Sequence, residues 1–197
     1  MDIKSRILDT VSEIQELIIL LAGANDSPIR GKLWLQKELF LLSDRLEEIR
    51  DQSGYEPYLL GPHSDTVDEE LSQLEDIGVI SFDANKIYLT NFGQEIAKKL
   101  EKTVVNKNPQ LIDLIHEYKE FLNDMTSDEL LCYVYSAYPD MTEESVEYHN
   151  LKPKMENIIF RLVEKNKISA SRASELLKKN KSDVIKMLNK RGIQVIS

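Results

Sequence analysis

The chain has 197 residues, 42% hydrophobic and 30% charged, with a net charge of −9. This is an ordinary globular composition, long enough for one large domain or two small ones and for a core that needs no metal or disulfide. One cysteine, Cys132, excludes an intrachain disulfide, and the apolar run Leu17 to Ala22 falls far short of the roughly 20 residues of a membrane span.

The first residues, Met1-Asp2-Ile3-Lys4-Ser5, do not read as a signal peptide, so a cytoplasmic protein without membrane contact is expected. Residues 3–22 read as an amphipathic helix, with Ile7, Val11, Ile14, Ile18 and Leu21 at three- and four-residue spacing. Gly23 suits its C-cap and Pro28 follows. A second helix is expected over 32–50, with Leu33, Leu35, Leu39, Phe40, Leu42, Leu46 and Ile49 as core candidates. Two prolines and two glycines forbid a helix over 54–63. Ser64 or Asp65 then caps a third helix, 66–77, with Val67, Leu71, Leu74 and Ile77 on its apolar face and Gly78 at its end. Residues 79–82 and 86–89 read as two strands around an Asp83-Ala84-Asn85 turn, and Thr90 caps a fourth helix, 91–104.

This order is that of a winged helix: helix, helix, tight turn, helix, hairpin, helix. Its third helix, the one that enters DNA in a nucleic-acid-binding version, carries Asp65, Asp68, Glu69, Glu70, Glu75 and Asp76 and no Lys or Arg. Carboxylates repel a phosphate backbone, so the sequence predicts the shape of a DNA reader without its chemistry.

Further helices are expected over 107–124 and 127–137, with Cys132 a small buried side chain in the second. Residues 141–151 form an ambiguous connection, which divides the chain into an acidic domain, 1–150, and a basic module, 151–197. The first holds 13 Lys/Arg against 30 Asp/Glu, a balance of −17, and the second 12 against 4, a balance of +8. Different partners are expected for segments so unlike in charge. The module reads as helices over 153–165, from Ser169, and over 181–190, ending in Gly192 and a strand at 193–196. The last two helices and the short turn at Lys179-Asn180 have the proportions of a helix-turn-helix. Lys165, Lys167, Arg172, Lys178, Lys179, Lys181, Lys186, Lys190 and Arg191 are the candidate phosphate contacts, with Ser182 at the start of the recognition helix. Because this set is mostly Lys, it favours backbone contact over base reading.

Two resemblances accompany these patterns. Lys167-Ile168-Ser169, Ala173-Ser174-Glu175-Leu176 and Arg191-Gly192-Ile193 resemble a family of small, antitoxin-like prokaryotic proteins, in which a glycine stands where this chain has Lys178. Over residues 30–150, the helix Gly31 to Leu42, the turn Tyr58-Leu59-Leu60-Gly61-Pro62-His63-Ser64, the segment Leu89-Thr90-Asn91-Phe92-Gly93 and the run Leu130 to Pro139 are similar to the SocA/Panacea antitoxin type. That resemblance implies a toxin-neutralising or adaptor role through protein contacts. Trp34, Tyr55 and Tyr58, with His63, Asp68 and Glu69, are the candidate partner surface, although aromatic residues more often serve the core.

Enzyme chemistry finds no support here. The histidines His63, His116 and His149 lack metal-ligand spacing, no glycine-rich phosphate loop is present, and no cofactor is expected. The sequence thus predicts a mainly helical, non-enzymatic protein, a winged-helix-like domain joined to a small helix-turn-helix. It would act as a DNA-binding regulator with a protein partner, a toxin being the candidate that the resemblance implies. Many helix-turn-helix proteins are dimers, which leaves a homodimer open. The alternative is a protein-interaction adaptor whose basic module docks on its acidic domain. On the first reading residues 1–150 alone are soluble; on the second they aggregate.

Overall fold

A computed structural model describes residues 7–193 of the chain, so the predicted strand at 193–196 lies, beyond its first residue, outside the described residues. It is mainly helical, with one two-stranded antiparallel hairpin among the described residues. The chain falls into two compact units, one of Met1–Glu56 and His63–Asp124, the other of Pro57–Pro62 and Met125–Ser197. The expected division at 150/151 lies inside the second unit.

In the first unit α1 (Glu13–Gly23) is apolar almost all round, with Leu17, Ile18, Ile19 and Leu21 each no more than 3% exposed. A helix with that pattern belongs at the centre of a core, and α1 packs against most other elements of the unit. The helix expected from residue 3 does not run through. Ser12 accepts from the Gln15 amide, and the Gln15 side chain accepts from the Ser12 amide, a capping box that starts α1 afresh. Gly23 closes the helix without a left-handed turn; an added Cβ there would lie 3.2 Å from Leu89 Cδ1.

The second expected helix also divides, into α2 (Lys32–Ser43) and α3 (Glu47–Ser53), the latter ended by Gly54 in the left-handed region. Ser64 Oγ accepts from the Val67 amide and caps α4 (Asp65–Asp76). Val67, Leu71 and Leu74 point inward as expected, but Ile77 falls beyond the last turn and is 46% exposed. Strands β1 (Ile80–Asp83) and β2 (Lys86–Leu89) pair Ile80 with Leu89 and Phe82 with Ile87, turning at Ala84 and Asn85, both at positive φ. Ile29 exchanges both backbone hydrogen bonds with Ile87, so a single residue ahead of α2 extends this hairpin. Thr90 caps α5 (Asn91–Lys107), and α6 (Pro109–Asn123) completes the unit, with Ile112 and Ile115 in its core.

The second unit begins with α7 (Ser127–Ala137), whose Thr126/Glu129 capping box matches the expected start. Beyond the four-residue α8 (Tyr148–Leu151), α9 (Met155–Glu164) packs on α7, and its Ile158, Ile159 and Leu162 are all buried. Cys132 is fully buried in α7, and burial, with the Asp128 charge adding to it, pushes its thiol up to about 12. Among the described residues no helix is long and apolar enough to cross a membrane.

Candidate nucleic-acid interface

Helices α10 (Ala170–Leu176) and α11 (Lys181–Lys190) follow α9 and pack on each other. Ser169 Oγ accepts from the Arg172 amide and starts α10. The turn that ends α10 has a specific backbone requirement. The Lys179 amide donates to Ser174 O at 3.0 Å, reaching back over a full turn, which needs a left-handed residue just before it. That residue is Lys178, at φ 51. A non-glycine side chain there costs about 1 kcal/mol. Lys178→Gly is therefore expected to raise the unfolding free energy of the second unit by about 0.5–1 kcal/mol, measurable as a shift in its urea midpoint.

Val184 and Leu188, both fully buried, fix the inward face of α11. At 100° per residue the opposite face presents Ser182, Lys186, Asn189 and Lys190, all exposed. Lys178 and Lys181 stand exposed at its N-terminal end. Lys178, Lys181 and Lys190 form no ion pair among the described residues, and Lys186 approaches Asp183 at 3.5 Å on the surface. Asn189 carries no charge, so a count of basic residues misses it.

The rest of the predicted basic set has structural partners. Lys165 Nζ donates to Glu129 at 2.9 Å, and the Glu129 side chain is fully buried. Burial alone would raise the Glu129 carboxyl, but bonds from Lys165 and Thr126 outweigh it and hold it below the ordinary value. Glu156 pairs with both Lys179 and Arg191, and Arg191 also bonds Asn157 at 2.7 Å and lies 4.7 Å over the Phe160 ring. Arg172 bonds Glu175 at 2.9 Å and reaches the Tyr133 hydroxyl and ring. Partial burial works against its charge, yet these bonds hold its pKa above the usual value. Lys167 is half-buried at the α9–α10 turn. Glu156 thus ties α9 to both ends of α11, while Lys165 and Arg172 reach Glu129 and Tyr133 on α7; of the predicted set, Lys178, Lys181, Lys186 and Lys190 remain exposed on α11 and the turn before it.

Of the predicted partner surface, Trp34, Tyr55, His63, Asp68 and Glu69 lie in the first unit. Trp34 donates its Nε1–H to Leu122 O at 3.2 Å under the Arg30 guanidinium, and Tyr55 donates to Gln36 O at 3.0 Å with its ring edge-on to Phe40. Burial first, and then Asp68, pushes the Tyr55 hydroxyl well above its usual pKa. His63 sits 3.2 Å from Asp65 and 3.9 Å from Asp68, while Glu69 is exposed on α4. Tyr58 belongs to the other unit.

Comparison of the chain with family models, curated proteins and solved structures returns no match in any of the three.

Proposed function

We propose that this protein is a non-enzymatic, DNA-binding regulator of the antitoxin or repressor type, in which α10 and α11 meet DNA and the protein also engages a protein partner. The observation that carries this reading is the outward face of α11. Ser182, Lys186, Asn189 and Lys190 lie opposite the buried Val184 and Leu188, with Lys178 and Lys181 at the helix start. A helix that offers a row of ammonium groups and two neutral hydrogen-bonding side chains suits a groove lined by phosphates. We read α2, α4, the hairpin with its Ile29 extension and α5 as a winged-helix-like arrangement. Its α4 exposes Asp65, Glu69, Glu75 and Asp76, which suits contact with protein rather than with phosphate.

The test is fluorescence anisotropy on a duplex over a range of salt. Binding is expected at about 50 mM salt and to weaken steeply above it, because each phosphate contact adds about 0.9 to the salt slope. Lys181, Lys186 and Lys190 changed together to Ala should lower the slope by about 2–3 and the affinity at 100 mM salt by roughly 100-fold. No salt-sensitive binding by the wild type, or an unchanged slope in the triple variant, would sink the proposal.

The adaptor reading draws on the ion pairs of Lys165, Arg172, Lys179 and Arg191, which reduce the positive charge on offer. Truncation at 150 does not separate the two readings. It strips α9 from α7 and exposes the apolar face of α7 on either one, so the salt titration has to decide.

A further inference from the structure

Three consecutive large apolar residues stand in water in the second unit. Tyr58, Leu59 and Leu60 are 49%, 46% and 39% exposed, and Val146 is 57% exposed. Val146 is their neighbour, since its amide donates to Leu59 O at 3.1 Å. Left to itself such a loop would fold its side chains inward, and this one is prevented from doing so from below. The Tyr58 and Gly61 amides donate to each other's carbonyls at 3.1 and 3.0 Å, closing a tight turn. Gly61 takes φ 80 and lies flat on the Tyr135 ring, where an added Cβ would come within 2.7 Å of Cε1. The buried Ser145 hydroxyl is 2.6 Å from the Tyr135 hydroxyl and 3.3 Å from Leu59 O, and it accepts from the Tyr148 amide at 3.2 Å. Donation to Leu59 leaves Ser145 Oγ as the acceptor for Tyr135, so one ordered chain of hydroxyls runs from the core to the turn. A buried polar network that fixes an exposed apolar ridge is preorganisation for a contact, because it removes the ordering cost at the moment of binding.

The surroundings select the partner. Glu143 and Glu144 are exposed beside Val146 and form no ion pair among the described residues, and Glu147 follows, half-buried. The next cation along the chain, Lys152, lies over the Tyr148 ring. This rim repels nucleic acid, anionic lipid and a second copy of itself. An apolar stripe flanked by Lys or Arg satisfies both the ridge and the rim.

We infer that the ridge of Tyr58, Leu59, Leu60 and Val146 is a docking surface for a basic amphipathic helix of another protein. The inference rests on the protein-partner half of the proposed function and is independent of DNA binding. It is tested with the full chain and three synthetic peptides: an amphipathic Leu/Lys helix, a scramble of the same composition, and an amphipathic Leu/Glu helix. The Leu/Lys helix should bind, the scramble about tenfold more weakly and the Leu/Glu helix not at all. Amide shift changes should centre on residues 58–60 and 143–148. Leu59→Ser combined with Val146→Ser alters exposed side chains only, so the fold should persist while affinity for the Leu/Lys helix drops about tenfold or more. Equal binding of the scramble, binding of the Leu/Glu helix, shifts centred on α4, or full affinity in the double variant would each overturn the inference. So would self-association of the wild type that this variant abolishes. The double variant should keep its affinity for DNA, so failure of the DNA reading and failure of this one are separately visible.

Discussion

Lys119→Met is expected to destabilise the first unit by about 2–3 kcal/mol, because it leaves a buried carbonyl without its donor and a buried carboxyl without the cation that acts on it. Lys119, on α6, is fully buried and donates from Nζ to Leu21 O at 2.7 Å, near the C-terminal end of α1. Glu38, on α2, is also fully buried, and neither of its carboxylate oxygens has a hydrogen-bond partner among the described residues. The two groups offset each other's charge: burial lowers Lys119 to about 8 against the pull of Glu38, and burial raises Glu38 to about 7 against the pull of Lys119. Methionine in place of Lys119 leaves Glu38 without its opposing charge and Leu21 O without its donor. Urea unfolding followed by the fluorescence of Trp34, the single tryptophan, reads this unit directly. A loss below about 1 kcal/mol would mean that the Lys119 ammonium is not needed at the C-terminal end of α1.

The same pair gives a pH signature. A carboxyl with a folded pKa near 7 and an ordinary value of 4.5 binds its proton more tightly in the folded state. Its contribution to stability is complete below pH 4.5 and is lost as pH rises through about 7. Measured against Glu38→Gln, which does not titrate, the wild type should therefore lose stability from pH 5 to 8. Lys37, lowered by burial to about 7, acts in the opposite sense above that pH. It is present in both proteins and cancels in the difference, whereas Lys119, which the Glu38 charge holds up, falls further in the Gln variant and adds to the difference in the same direction. A difference that is flat with pH would show that Glu38 does not change its protonation there.

Local signals carried most of the elements. Ser64, Thr90 and Ser169 each accept from a first-turn amide, and the helices begin where those residues predict. The helix expected over 3–22 breaks at Asp9-Thr10, because Ser12 and Gln15 together prevail over a helix passing through them, whereas the break after Ser43 has no such cap, Leu46 offering none to α3. The buried Lys37, Glu38 and Lys119 were illegible for a different reason. On an amphipathic helix a charged residue is read as the solvent face, and only the near-continuous apolar run Leu39 to Leu42 hinted that α2 is covered on all sides. Charge counting overstated the basic face in the same way. Glu129 lies 36 residues from Lys165, and Glu156 lies 23 from Lys179, so neutralisation by tertiary pairing leaves no trace in a local sum. What the spacing of α11 did carry was its inward Val184 and Leu188, and with them the identity of the outward side chains.

Gly93→Ala should cost the first unit about 3 kcal/mol or more, the upper range for forcing one extra carbon into a packed site. At an exposed helix position the same change usually gains about 0.5–1 kcal/mol, so the predicted sign is a reversal. Gly93 lies in the first turn of α5, where its amide donates to Thr90 Oγ1 at 3.0 Å. A Cβ there would fall 2.0 Å from Val79 O and 3.0 Å from the carbon that bears it. The carbonyl cannot turn aside, because it already accepts from the Thr90 amide at 3.0 Å, nor can α5 lift away without breaking its own cap. Three residues thus make this junction together. Leu89 ends the hairpin, Thr90 caps the helix, and Gly93 lets that helix lie directly on the residue preceding β1. If the Ala variant unfolds at the wild-type urea midpoint, α5 is not seated on Val79. If it unfolds well below it, the close approach of helix to hairpin is what the glycine provides.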